Sequence, residues 1–78
     1  MYKIPNTIVL LTIGLQQKTI LLVQKFEYSG IFEIYMDREY HGQVQRAGNG
    51  WTVNIIPESP ITKEHYQSLV DAINLQLQ

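Results

Sequence analysis

The chain of 78 residues has no cysteine, only three prolines and few charged residues of either sign. Without cysteine, no disulfide can stabilise the fold, and no thiolate can bind a metal ion or act as a nucleophile. Six Lys and Arg residues stand against seven Asp and Glu residues, which gives a net charge of −1 and neither a basic stripe nor an acidic tail. This balance argues against a protein that binds polyanions through electrostatic attraction.

Long hydrophobic runs are also missing. The longest apolar stretch, residues 8–23, is interrupted by the polar triplet Gln16-Gln17-Lys18. Neither half reaches the roughly 20 residues that cross a bilayer. Lys3 ahead of an apolar run has some character of a signal peptide, but no small residues that mark a cleavage site follow. We therefore expect a cytoplasmic protein without a membrane segment, with secretion as the alternative.

What is present is the composition of one small globular domain, with 45% apolar residues. Turn signals separate five segments that are rich in β-branched and aromatic residues, and these segments are predicted to be strands. The strands are expected at about residues 8–15, 19–28, 31–36, 40–47 and 50–56, and a helix at about 62–77. The predicted fold class is α+β, a five-stranded antiparallel β-meander with one C-terminal α-helix packed on one face.

Turn geometry predicts the register of the last three strands. A two-residue loop at Gly48-Asn49 pairs Val44 with Val53, and a three-residue loop after Met36 pairs it with Tyr40. Both hairpins then place their apolar side chains on the same face of the sheet. A slip of one residue would turn that face over, so the agreement favours this register.

The last segment has helical periodicity, with apolar residues at Tyr66, Leu69, Val70, Ile73 and Leu77. Thr62 is the predicted N-cap, and Ile61 and Tyr66 occupy the positions of a hydrophobic staple. We expect this helix to cover the apolar face of the sheet. Trp51 should then lie against Val70 or Ile73.

No pattern in the chain indicates catalysis. The two histidines have no serine in a nucleophile-elbow setting, and no glycine-rich loop leads into a helix to hold a phosphate. Asp37, Glu39 and His41 alternate as metal ligands could in an extended strand, but the predicted turn separates them. We expect a non-enzymatic protein with no catalytic residues, metal ion or cofactor.

The solvent-facing side of strands three to five is a candidate recognition face. Aromatic, amide and hydroxyl side chains of the kind that recognition surfaces use gather there: Tyr35, His41, Gln43, Gln45, Thr52 and Asn54. The alternative is an ordinary antiparallel sheet whose outer face meets water.

The first strand is apolar on both sides. Val9, Leu11 and Ile13 face one way, whereas Ile8 and Leu10 face the other. Because a single helix covers only one face, Ile8 and Leu10 are the candidate dimer interface of a homodimer. The predicted function is a small non-catalytic interaction module that self-associates, with an unidentified protein partner also possible. The alternative is a nucleic-acid-binding domain in which Tyr35 stacks on a base, and the charge balance disfavours it.

Two resemblances accompany this interpretation. The motifs FEIYMD (32–37), YHGQV (40–44) and ITKE (61–64), together with Gly50-Trp51, resemble small uncharacterised bacterial β-meander-plus-helix proteins. This resemblance implies the fold and no activity. Residues 40–77 are also similar to the three-strand-plus-helix DNA-binding domains of the AP2 type, which read DNA with Arg- and Lys-studded strands. Here strands three to five hold only Arg38, at a loop, and Arg46, with Glu33 and Glu39 nearby, so the charge that neutralises phosphate is absent.

Overall fold

A computed structural model describes residues 6–26 and 30–77, except for the side chains of residues 76 and 77. The strands are β1 (Thr7–Ile13), β2 (Gln16–Gln24), β3 (Ile31–Met36), β4 (Glu39–Ala47) and β5 (Gly50–Ile55). They form one antiparallel sheet in the order β1-β2-β3-β4-β5. A 3-10 turn at Lys63–His65 leads into the helix α1 (Tyr66–Leu77). The predicted α+β meander is confirmed, and positions 27–28 of the predicted second strand lie outside the described residues.

The first hairpin turns earlier than predicted. Its two-residue loop is Gly14-Leu15, not the polar triplet at 16–18, which begins β2 instead. Gly14 has a φ of 63°, a left-handed conformation that glycine adopts without steric cost. This turn pairs Ile8 with Leu21 and Leu11 with Lys18.

The β3–β4 hairpin differs from its prediction at the turn and agrees with it further along. The loop has two residues, Asp37 and Arg38, both with positive φ, so Met36 faces Glu39 and not Tyr40. An extra residue in β4 then restores the predicted pairing of Ile34 with Gly42. Such a β-bulge places two residues of one strand opposite one residue of its partner.

The β4–β5 hairpin has the predicted register throughout. Val44 pairs with Val53 and Arg46 with Trp51 around the loop at Gly48-Asn49. The apolar side chains of this hairpin lie on the side of the sheet that carries the core, as the alternation of the sequence indicates.

The core lies between the sheet and α1. Its buried apolar residues come from every strand but β5 and from the helix and the segment before it: Leu11, Ile20, Leu22, Phe32, Ile34, Met36, Val44, Ile61, Leu69 and Ile73. The helix packs chiefly against β1. The structure therefore corrects the expectation that α1 lies over Trp51. Trp51 is half-buried at the opposite end of the sheet, where its ring lies 6.0 Å from that of Phe32.

The start of the helical segment is joined to β1 by His65. Thr62 has the extended backbone of an N-cap, and its N–H donates to Nδ1 of His65 at 3.0 Å. Because Nδ1 accepts that bond, the ring proton is on Nε2, which donates to the carbonyl oxygen of Thr12 at 3.1 Å. His65 therefore links the start of the helical segment to β1 through two hydrogen bonds.

Candidate interaction surface

The outer face, defined as the side of the sheet away from α1, carries an apolar row across four strands. The register aligns Ile8 of β1, Leu21 of β2, Tyr35 of β3 and Tyr40 of β4. Ile8 is 66% exposed and Leu10, two residues along β1, is 58% exposed. The structure thus places both predicted interface residues on an open surface. The structure also adds Leu21 and Tyr40 to this surface. Leu21 is aligned with Ile8 by the turn at Gly14-Leu15, and Tyr40 is aligned with Tyr35 by the bulge in β4.

Tyr35 and Tyr40 form the β3–β4 end of this row. Their rings meet edge to face with centroids 5.9 Å apart, an arrangement that aromatic pairs favour. Burial raises the pKa of the Tyr35 hydroxyl above its usual value of 10.0, and Glu33 raises it further through its negative charge and a hydrogen bond. Tyr35 is therefore a neutral, half-buried side chain that is held in place by its neighbours.

The other half of the outer face is polar and almost uncharged. Two amide-rich pairs cross from β4 to β5, Gln43 with Asn54 and Gln45 with Thr52. Glu33, on the neighbouring strand, pairs with Gln43. Among the described strand residues of this face, Glu33 is the one that carries a charge. Five of the six predicted recognition residues thus lie together on one surface.

His41, the sixth predicted recognition residue, is not on the outer face. It is the extra residue of the bulge and is only 8% exposed, because it follows the outward-facing Tyr40 and points to the core side together with Gly42. Its Nδ1 lies 2.7 Å from Oγ of Ser59, and that oxygen accepts the N–H of Ile61 at 3.2 Å. Its buried Nε2 has no hydrogen-bond partner among the described atoms. His41 therefore holds the loop before α1 against β4.

The residues considered as metal ligands are dispersed. Asp37 lies at the β3–β4 turn, where its carboxylate is 3.5 Å from Nζ of Lys18, while His41 points inward. Over the ranges 6–26 and 30–77, no group of three or more acidic or histidine side chains is placed to hold a metal ion.

A shallow, open depression of about 370 Å³ lies where the bulge meets β5. Tyr40, Gln43, Asn54, Ile55 and Ile56 line it, and Gly42 is at its floor. Gly42 has a φ of 144°, and a Cβ there would overlap the carbonyl oxygen of Asn54. Glycine thus permits the close approach of β4 and β5 that the bulge requires.

No model of a known protein family, no curated protein and no solved structure matches this chain. The two resemblances drawn from sequence motifs therefore stay predictions. In the part of the chain that the structure describes, no helix has the length and apolar character to cross a bilayer.

Proposed function

We propose that the protein is a small non-catalytic interaction module whose outer face meets a second copy of the chain. The observation that carries the proposal is the open apolar row, with Ile8 and Leu10 more than half exposed beside Leu21. Covering the exposed parts of Ile8 and Leu10 would contribute about 2–4 kcal/mol, a large amount for a domain of this size.

The size of the outer face determines how much of it must contribute to the contact between two copies. Five strands about 4.8 Å apart and about six residues long span roughly 24 by 20 Å. A standard interface buries about 800 Å² of accessible surface on each partner. Almost the whole outer face therefore has to contribute. The polar half, with Gln45 and Thr52, supplies hydrogen bonds at the rim of the same contact.

The test is sedimentation of the purified chain against two double variants. Wild type should be a dimer at about 10 µM, and Ile8→Glu with Leu10→Glu should give a folded monomer, because like charges would face each other across the contact. The matched control is Ser68→Glu with Asn74→Glu, which adds the same charge at exposed positions of α1, away from the outer face, and should leave the dimer intact. A wild-type chain that sediments as a monomer at about 100 µM would reject the proposal.

Binding of oligonucleotides tests the alternative function, a nucleic-acid-binding domain. Glu33 is the one charged residue among the described strand residues of the outer face, so none of these residues offers a cation to a phosphate group. Single- and double-stranded oligonucleotides should bind no tighter than about 10 µM at physiological salt. A salt-dependent nanomolar affinity would replace the present proposal with a nucleic-acid-binding one.

A further inference from the structure

We propose that the free edge of β5 binds an extended segment of another protein, which joins the sheet as a sixth, antiparallel strand. This site is the backbone edge of β5 and not the surface of the outer face, so binding there does not require self-association. The segment is a strand with apolar residues at alternate positions and one carboxylate near its C-terminal end, and it is otherwise uncharged.

The register identifies the backbone groups that point to this edge. In a hairpin with a two-residue loop, the residues that flank the loop form a hydrogen-bonded pair, and bonded and non-bonded pairs then alternate. Gly50, Thr52 and Asn54 therefore bond to β4. The N–H and C=O groups of Trp51, Val53 and Ile55 point away from β4, toward the open edge. An added strand forms its main-chain hydrogen bonds with alternate residues of an edge strand, and these three residues are spaced in that way.

In the part of the chain that the structure describes, three devices that usually prevent such pairing are missing from this edge. Natural edge strands are protected by charged side chains, by proline or by a covering element. β5 has no charged residue and no proline between Gly50 and Ile55. The helix that covers other parts of the sheet packs chiefly against β1, at the opposite edge.

The side chains of β5 define the chemistry of the segment. On the core side, Trp51, Val53 and Ile55 are all half-buried, so apolar residues beside them would complete their burial. On the outer side, Thr52 and Asn54 are exposed and suit hydroxyl or amide neighbours.

Charge complementarity selects an external segment over a second copy of β5. The guanidinium of Arg46 lies 5.7 Å from the centre of the Trp51 ring, at the N-terminal end of β5. An antiparallel segment would bring its C-terminal end to this position, where a carboxylate could pair with Arg46. A second β5 would place Ile55 there when the two strands pair about Val53, and it has no acidic residue to offer.

The experiment is an NMR titration of the full chain with a capped peptide of sequence TVTVTE, which places its valines beside Val53 and Ile55 and its glutamate beside Trp51. The amide signals of Trp51, Val53 and Ile55 should shift saturably, with a Kd of about 1 mM or tighter. Their hydrogen exchange should slow, whereas the exchange of Thr52 and Asn54, which already bond to β4, should change little. No saturable shift at these three amides at several millimolar peptide would overturn the proposal.

Matched peptides and one protein variant sharpen the test. Methylation of the two valine nitrogens removes two of the three strand-pairing donors without changing the side chains, and it should weaken binding at least tenfold. Replacement of the glutamate by lysine should weaken it several-fold. Equal binding by the N-methylated peptide would overturn the proposal. Val53→Pro removes a donor at the edge and none of the β4 bonds, so it should lose peptide binding while the thermal transition shows that the chain is folded.

The same titration in the Ile8→Glu, Leu10→Glu double variant separates this proposal from self-association, because binding should persist there whether or not wild type dimerises. In that double variant, shifts of the Trp51, Val53 and Ile55 amides on raising protein concentration alone, without peptide, would assign the edge to a second copy and overturn the proposal.

Discussion

The two edges of the sheet are built from similar residues but are treated differently by the fold. β1 and β5 are both uncharged and rich in β-branched residues. The helix packs against β1, and His65 bonds to the carbonyl oxygen of Thr12 there. At β5, the Trp51 ring lies 6.0 Å from the ring of Phe32 and 5.7 Å from the guanidinium of Arg46. A single short helix therefore completes the core at the β1 edge of the sheet, whereas the core residues at the β5 edge are only partly covered.

The largest expected effect is in the half of the core beneath the helix. Leu69 is fully buried in α1, so Leu69→Ala should lower the free energy of unfolding by about 2.5–5 kcal/mol through lost burial and the cavity left behind. For a domain this small, that loss removes most of the stability. Chemical denaturation of the variant measures it.

Trp51→Ala is the matched substitution in the half of the core beside β5. Because Trp51 is only half-buried, the expected loss is smaller, about 1.5–3 kcal/mol. A Trp51→Ala variant that is less stable than Leu69→Ala would show that the β5 half of the core is not the weaker one.

A smaller effect is expected where the helix is tied to β1. His65→Ala removes the bond to the Thr62 N–H and the bond to the Thr12 carbonyl, and should cost about 1–2 kcal/mol, as the loss of a helix cap does. Thermal unfolding at neutral pH measures it. Glu64→Ala, an exposed neighbour, is the control and should change stability by less than about 0.5 kcal/mol. Equal stability of the two variants would mean that the tie contributes nothing.

The smallest effect concerns Tyr35, midway between the edges. Its pKa is raised by burial and by Glu33, so the folded chain favours the neutral hydroxyl. That contribution is fully present below pH 10 and is lost as pH rises through the folded-state pKa. Stability of wild type should therefore fall more steeply above pH 10 than that of Tyr35→Phe. Parallel alkaline slopes in urea denaturation would show that Tyr35 does not titrate differently on unfolding.

The strands and the helix were predictable from hydrophobic periodicity, whereas two of the three hairpin turns were not placed correctly by local patterns. Alternation in β4 and β5 and the Gly48-Asn49 loop were sufficient for their exact register. The β3–β4 turn differs from its prediction because Arg38, next to Asp37, adopts a positive φ, which is common for aspartate and glycine but uncommon for arginine. The first turn lies at Gly14-Leu15 because glycine adopts positive φ without steric cost, whereas the polar triplet at 16–18 continues as a strand.

The residues of the candidate surface were predictable where strict alternation holds and not where a bulge interrupts it. Ile8 and Leu10 follow from strict alternation in β1, and so do Gln43 and Asn54 in the last hairpin. The prediction that His41 lies on the outer face was wrong. The bulge inserts one extra residue into β4, so the alternation of side chains between the two faces is interrupted at His41. Nothing in the local pattern marks that change except Gly42, whose need for close backbone contact is visible only when Asn54 is beside it.

The sequence by itself determined the element order, the α+β class and the apolar character of both sides of β1, because these depend on neighbours in the chain and on hydrophobic periodicity. Only the tertiary structure shows that the helix packs against β1, that the bulge turns His41 inward and that no described strand pairs with the outer edge of β5. The position of the 12-residue helix depends on the loop that follows β5, and the pairing of His41 with Ser59 fixes that loop against β4 in the curled sheet.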